Sequence, residues 1–100
     1  MLNITFEVNE SEVVVFLEGK LDAGTASEFA QAVYPHLNTC ESMIVDMTDL
    51  KYLSSAGLRE FMKVDLTMEK RGKSAMFRNI SESVMQIIEL TGFSQALKIC

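Results

Sequence analysis

Two hydroxyls stand side by side at Ser54-Ser55, followed by Ala56 and Gly57. Such hydroxyls can attack a substrate, cap a helix, or accept a phosphoryl group delivered by another protein. Attack requires an oriented base, most often histidine, to take the serine proton. The only histidine, His36, lies in a different segment, and no Gly-x-Ser-x-Gly elbow surrounds the pair, since Leu53 stands at the first glycine's place. The chain is therefore not expected to be an enzyme. His36 and Cys40 are four apart, a spacing that two metal ligands can share, but Pro35 interrupts a regular helix there and two ligands do not close a site. No glycine-rich phosphate loop follows a strand. No metal and no cofactor are expected, which leaves capping or phosphoryl acceptance as the work of the serines.

The elements that must position this pair can be read from apolar spacing. Asn3–Val8 alternates, with Ile4, Phe6 and Val8 on one side, as in a strand with one wet face. Val13–Leu17 is an unbroken apolar run, which predicts a central strand closed by Gly19. Thr25 and Glu28 have the spacing of a capping box, and Ala26, Phe29, Ala30, Val33 and Leu37 follow at helical spacing, with a kink or fraying expected at Pro35. Met43–Met47 reads as an inner strand and Asp49–Ser54 as the segment leading out of it. A helix is predicted from about Ser55 to Gly72, where Lys70-Arg71-Gly72 supplies a stop.

Ala75–Phe77 is a third inner strand. Ser81 caps a third helix, which has a staple between Ile80 and Met85 and a buried side at Val84, Ile87, Ile88 and Thr91. Leu97–Ile99 can add one last short strand. The order ββαβαβα(β) predicts an α/β fold, a mixed β-sheet with helices packed against it, in one domain over residues 1–100.

Composition sets outer bounds. The 100 residues suffice for one domain and not two. Nine basic against fourteen acidic side chains give a net charge of −5, and no basic cluster is present to drive binding to nucleic acid or an anionic membrane. With 48% hydrophobic residues the chain can bury a real core, yet no apolar run is long enough to span a bilayer. No secretory leader is seen at the start, and two cysteines, Cys40 and Cys100, are expected to be reduced, so the expected location is cytoplasmic.

The Ser54–Gly57 segment fits a larger pattern. Leu17-Glu18-Gly19-Lys20-Leu21-Asp22-Ala23-Gly24-Thr25-Ala26, Ile44-Val45-Asp46-Met47, Leu53-Ser54-Ser55-Ala56-Gly57-Leu58 and Ile88-Glu89-Leu90-Thr91-Gly92-Phe93 occur in register. Together they resemble the STAS domain of bacterial anti-sigma-factor antagonists, over nearly the whole chain. The resemblance implies a STAS-like fold and a phosphorylation-switched protein-binding module. A GHKL-type serine kinase that is also the anti-sigma factor would bind the unmodified antagonist and release it once a serine is phosphorylated. The target serine falls on Ser55, and less readily on Ser54, with Asp22, Ser54, Ala56 and Gly57 as its surroundings.

Two departures accompany the match. Ser54 replaces the aspartate that precedes the target serine in relatives. Many relatives also carry one more helix after the Gly-Phe segment, whereas the sequence stops at Cys100. Apolar surface left open there could be covered by self-association into a homodimer. Along the second helix, Arg59, Lys63, Asp65 and Met68 are expected to face partly outward, and Arg59, Lys63 and Met68, grouped with Val64 near Ser55, are expected to meet the partner. Asp46 and Asp49 fit solvated or turn-forming roles as well as functional ones. The alternative reading is a non-phosphorylated STAS subunit of a larger complex, for example one associated with a transporter.

Overall fold

The computed structural model describes residues 1–92 and 95–100, so Phe93 of the Gly-Phe segment lies outside the described residues. Its elements run β1 (Leu2–Asn9), β2 (Glu12–Leu21), α1 (Ala26–Leu37), β3 (Ser42–Leu53), α2 (Ser55–Lys70), β4 (Ser74–Arg78) and α3 (Glu82–Leu90). This is the expected α/β order. The strands form one mixed sheet in the order β1-β2-β3-β4, antiparallel between β1 and β2 and parallel thereafter. A two-residue turn closes the first hairpin, with Glu10 in the left-handed region at φ 54°.

One hydrophobic cluster holds the layers together. Val13, Val15 and Leu17 of β2, Met43, Val45 and Met47 of β3, and Ala75 and Phe77 of β4 line the inner face of the sheet. Phe29, Val33 and Leu37 of α1, Phe61, Val64 and Met68 of α2, and Val84 and Ile88 of α3 pack into the same cluster. The rings of Phe29, Phe61 and Phe77 meet in sequence at 5.5 and 5.1 Å between centroids. Polar ties fix the helices further. Tyr34 donates its hydroxyl to Glu60, joining α1 to α2. Burial, then the Glu60 bond and charge, push the Tyr34 hydroxyl well above the phenol range. Among the described residues no helix is long and apolar enough to cross a membrane.

Several boundaries differ from the sequence reading, each for a local reason. β2 runs past Gly19 to Leu21. Gly19 sits at φ +102°, and a Cβ there would lie 2.3 Å from the carbonyl oxygen of Met1, so glycine allows the two strands to close rather than ending one. β3 extends through Asp49–Leu53, which reads as a connecting segment in sequence. Register shifts between Phe16 and Glu18, and between Gly19 and Lys20, insert extra residues on the β3 side. They return both Leu50 and Leu53 to the inside although these are three apart, so strict alternation fails as a guide.

The capping box does not form. The Thr25 hydroxyl accepts from the Asp22 N–H and donates to the Lys20 carbonyl, both at 2.9 Å, and makes no cap bond to α1. α1 does not fray at Pro35 but continues through it to Leu37. Thr91, expected on the buried side of α3, is exposed. Leu97–Ile99 forms no strand of its own but makes one parallel bridge, Phe77 to Ile99, along the edge of β4.

Candidate functional site

The site is built where β2 and β3 end together. Leu21 pairs with Leu53 in the parallel register, and the Ser54 N–H donates to the Leu21 carbonyl at 2.9 Å. Asp22 and Ser55 each follow one residue beyond that bond, so the parallel pairing is what brings them to the same end of the sheet. Ser54 takes extended geometry and caps α2, its Oγ accepting from the Gly57 N–H at 3.3 Å. A hydroxyl thus does at position 54 what a carboxylate could do equally well at an N-cap.

Gly57 is the tightest point. A Cβ there would come within 2.6 Å of Leu21 Cγ, 2.9 Å of Leu53 Cδ1 and 3.0 Å of the Leu21 carbonyl oxygen. The helix therefore starts pressed against the ends of both strands, which explains a glycine in a helical turn where its propensity is poor. Ala56 is half-buried beside it. Ser55, by contrast, is exposed at the first position of α2. No acidic side chain occupies that first turn, so the positive end of the helix dipole is left uncompensated next to its hydroxyl.

Asp22 is half-buried, and its Oδ1 accepts from the Gly24 and Thr25 N–H groups at 2.9 and 3.1 Å. Its carboxylate therefore organises the loop into α1. Asp46 belongs to a different structure. It is 4% exposed and accepts from the Thr48 N–H and hydroxyl on one oxygen, and from Arg78 and Asn79 on the other. Burial alone would raise this carboxyl. The bonds from Thr48, Arg78 and Asn79 outweigh it and hold the group down at about 2. It braces the β3 irregularity and the end of β4. His36 lies against Phe6 with ring centroids 4.6 Å apart, and Cys40 is buried.

The surface expected along α2 needs correction. Val64 and Met68, read as partner-facing, are fully buried in the core, and Asp65 is buried and paired with Lys98 Nζ at 3.0 Å. The reason is helical phase. At about 100° per residue, Val64 is nine residues from Ser55 and so points about 180° away from it, while Met68 is about 140° away. Arg59 and Lys63 are exposed as expected. The residues sharing the Ser55 side are instead Arg59, half-buried Met62 and Leu66, the last 50% exposed. Counting helical turns from Ser55 would have found them. The contiguous surface beginning at Ser55 is one hydroxyl, a cationic residue and two apolar side chains.

Comparison with known proteins agrees with this architecture. A family model for the STAS domain matches residues 3–100. The anti-sigma-B factor antagonist of Bacillus subtilis is 24% identical over 98 residues, covering 98% of this chain and 90% of that protein. Among solved structures, an anti-sigma factor antagonist from Mycobacterium paratuberculosis superposes with a TM-score of 0.83 at 20% identity, covering 99% of this chain and 85% of that one. The Bacillus cell fate determinant SpoIIAA in its phosphorylated form superposes with a TM-score of 0.76 at 16% identity, covering 98% and 91%. With the family match spanning nearly every residue, and the sheet, helix order and Ser54–Gly57 turn in place, this chain belongs to the STAS domain family.

Proposed function

We propose that this chain is a phosphorylation-switched binding module, an antagonist of an anti-sigma factor that is also a GHKL-type serine kinase. Ser55 is the acceptor and the partner supplies the chemistry, in the cytoplasm. The observation that carries this reading is the exposed Ser55 hydroxyl at the start of α2, continuous with Arg59, Met62 and Leu66. Relatives named as anti-sigma factor antagonists, one of them described in a phosphorylated form, support it.

The switch follows from charge. A phosphate on Ser55 adds about −1.5 to −2 charges to a chain already at −5. The uncompensated helix start, and Arg59 one turn along, hold that phosphate on the surface rather than unfolding the helix. A partner that must bury Met62 and Leu66 would then have to strip a hydrated dianion beside them. The fold need not move.

Incubation with the cognate kinase and ATP, followed by intact-mass measurement, tests the reading. One added phosphate is expected on the wild type and none on Ser55→Ala, which still binds. Ser55→Asp is expected to lose binding. Phosphate on the Ser55→Ala protein moves the site, with Ser54 the next candidate. The second reading, a non-phosphorylated subunit of a larger assembly, rests on serine rather than aspartate at position 54. Co-purification of a transport component, and no kinase, would favour it.

A further inference from the structure

The two edges of the sheet are treated differently. At the β4 edge the Phe77 N–H donates to the Lys98 carbonyl at 2.8 Å and the Cys100 N–H donates to the Phe77 carbonyl at 3.0 Å, so the C-terminal residues cover that edge at Phe77. At the other edge, β1 pairs with β2 on one side only, and no described residue pairs with its outer side. Natural sheets blunt such an edge with lysine, proline, a bulge or a short strand. β1 has none of these, and its one charged side chain is Glu7. It is eight residues of unbroken register, Leu2-Asn3-Ile4-Thr5-Phe6-Glu7-Val8-Asn9.

The Lys20 N–H bond to the Met1 carbonyl fixes which residues face β2. Alternation in an antiparallel ladder then makes Asn3, Thr5, Glu7 and Asn9 the residues that exchange backbone bonds with β2. Leu2, Ile4, Phe6 and Val8 direct N–H and C=O to the open edge. A second copy of the same strand, antiparallel and centred on Thr5, can pair with all four. Leu2 then stands opposite the copy's Val8 and Ile4 opposite its Phe6, each pair bonded through its backbone.

The side chains agree with that register. Val8 is 56% exposed, and Ile4 and Phe6 are only half-buried, so the apolar row would continue across the junction. On the other face Asn3 meets the copy's Glu7. The Asn3 amide already donates to Glu18 at 3.0 Å and has a second N–H to give. No like charges are placed directly opposite.

We infer that β1 is a self-pairing edge, through which two copies join their sheets about a two-fold axis at Thr5. The contact is small beside the roughly 800 Å² per partner of a stable interface, so it is reversible and concentration-dependent. α2 packs over β3 and β4, away from this edge, so the Ser55 surface stays open in the pair.

The test is sedimentation velocity from micromolar to about 1 mM protein, the range where weak association is populated. The wild type is expected to shift toward dimer and Val8→Lys to remain monomeric with an unchanged melting temperature. Thr5→Cys in a Cys100→Ser background is expected to form a disulfide-linked dimer on mild oxidation, because non-bonded antiparallel pairs bring Cα atoms to about 4.5 Å. Asn3→Cys in the same background should not. A monomer at every concentration overturns the inference. So does a dimer that survives Val8→Lys, or one that cross-links through position 3 rather than 5.

Discussion

Replacing Gly57 with alanine tests whether the start of α2 is held by close contact with the strand ends. The added methyl would meet Leu21 Cγ at 2.6 Å and Leu53 Cδ1 at 2.9 Å. Both leucines are fully buried, and the Leu21 carbonyl at 3.0 Å also accepts the Ser54 N–H, so none can yield freely. Overpacking of this kind costs about 1–3 kcal/mol. Alanine recovers up to about 1 kcal/mol in helix propensity, less in a first turn. The net loss should be about 1–2 kcal/mol, which for a domain of this length lowers the melting temperature by about 4–16 °C. Gly24→Ala is the control, because its nearest neighbour would be Asp22 Oδ1 at an ordinary 3.4 Å. Thermal melts followed by far-UV circular dichroism read both. If Gly57→Ala melts at or above the wild-type temperature, the claim that this glycine is required by strand contact is wrong.

The Asp46 carboxyl titrates at about 2 in the fold against an ordinary 3.8, so its ionised form is favoured by folding. It contributes about 2 kcal/mol above pH 3.8, an advantage that fades as pH falls toward 2. Asp46→Asn should therefore lower urea stability by about that amount at pH 7, with the gap to wild type closing near pH 2. Arg71 donates to the Leu37 and Cys40 carbonyls at 2.5 and 2.8 Å, closing the end of α1 from the end of α2. Arg71→Ala should cost about 1–3 kcal/mol in the same denaturation experiment. Leu66→Glu, on the exposed side of α2, should weaken partner capture at least tenfold while leaving the melting temperature within a few degrees, about the range of ordinary surface changes.

Much of the fold was legible in the chain because burial leaves a periodic trace. The apolar runs at Val13–Leu17 and Met43–Met47, a serine cap at the start of α2, the Ser81 cap, and the stop near Lys70-Arg71-Gly72 each report a local preference that the tertiary structure keeps, although the capping hydroxyl of α2 is that of Ser54 and not Ser55. The Ser54–Gly57 turn was legible for the same reason, since a cap and a glycine are choices made within a few residues.

What the chain could not show depends on partners distant in sequence. Asp49–Leu53 becomes strand only because two register shifts against β2 turn Leu50 and Leu53 inward. Thr25 abandons its cap because Lys20 and Asp22 offer better bonds. Asp46 becomes a buried brace only once β4 delivers Arg78 and Asn79.

For the site, sequence alone determined which hydroxyls stand at the start of a helix. Tertiary structure decided which side of that helix faces water, and with it that Leu66 rather than Val64 accompanies Ser55. A helix of mixed apolar residues has several candidate stripes, and only the sheet it packs against selects one.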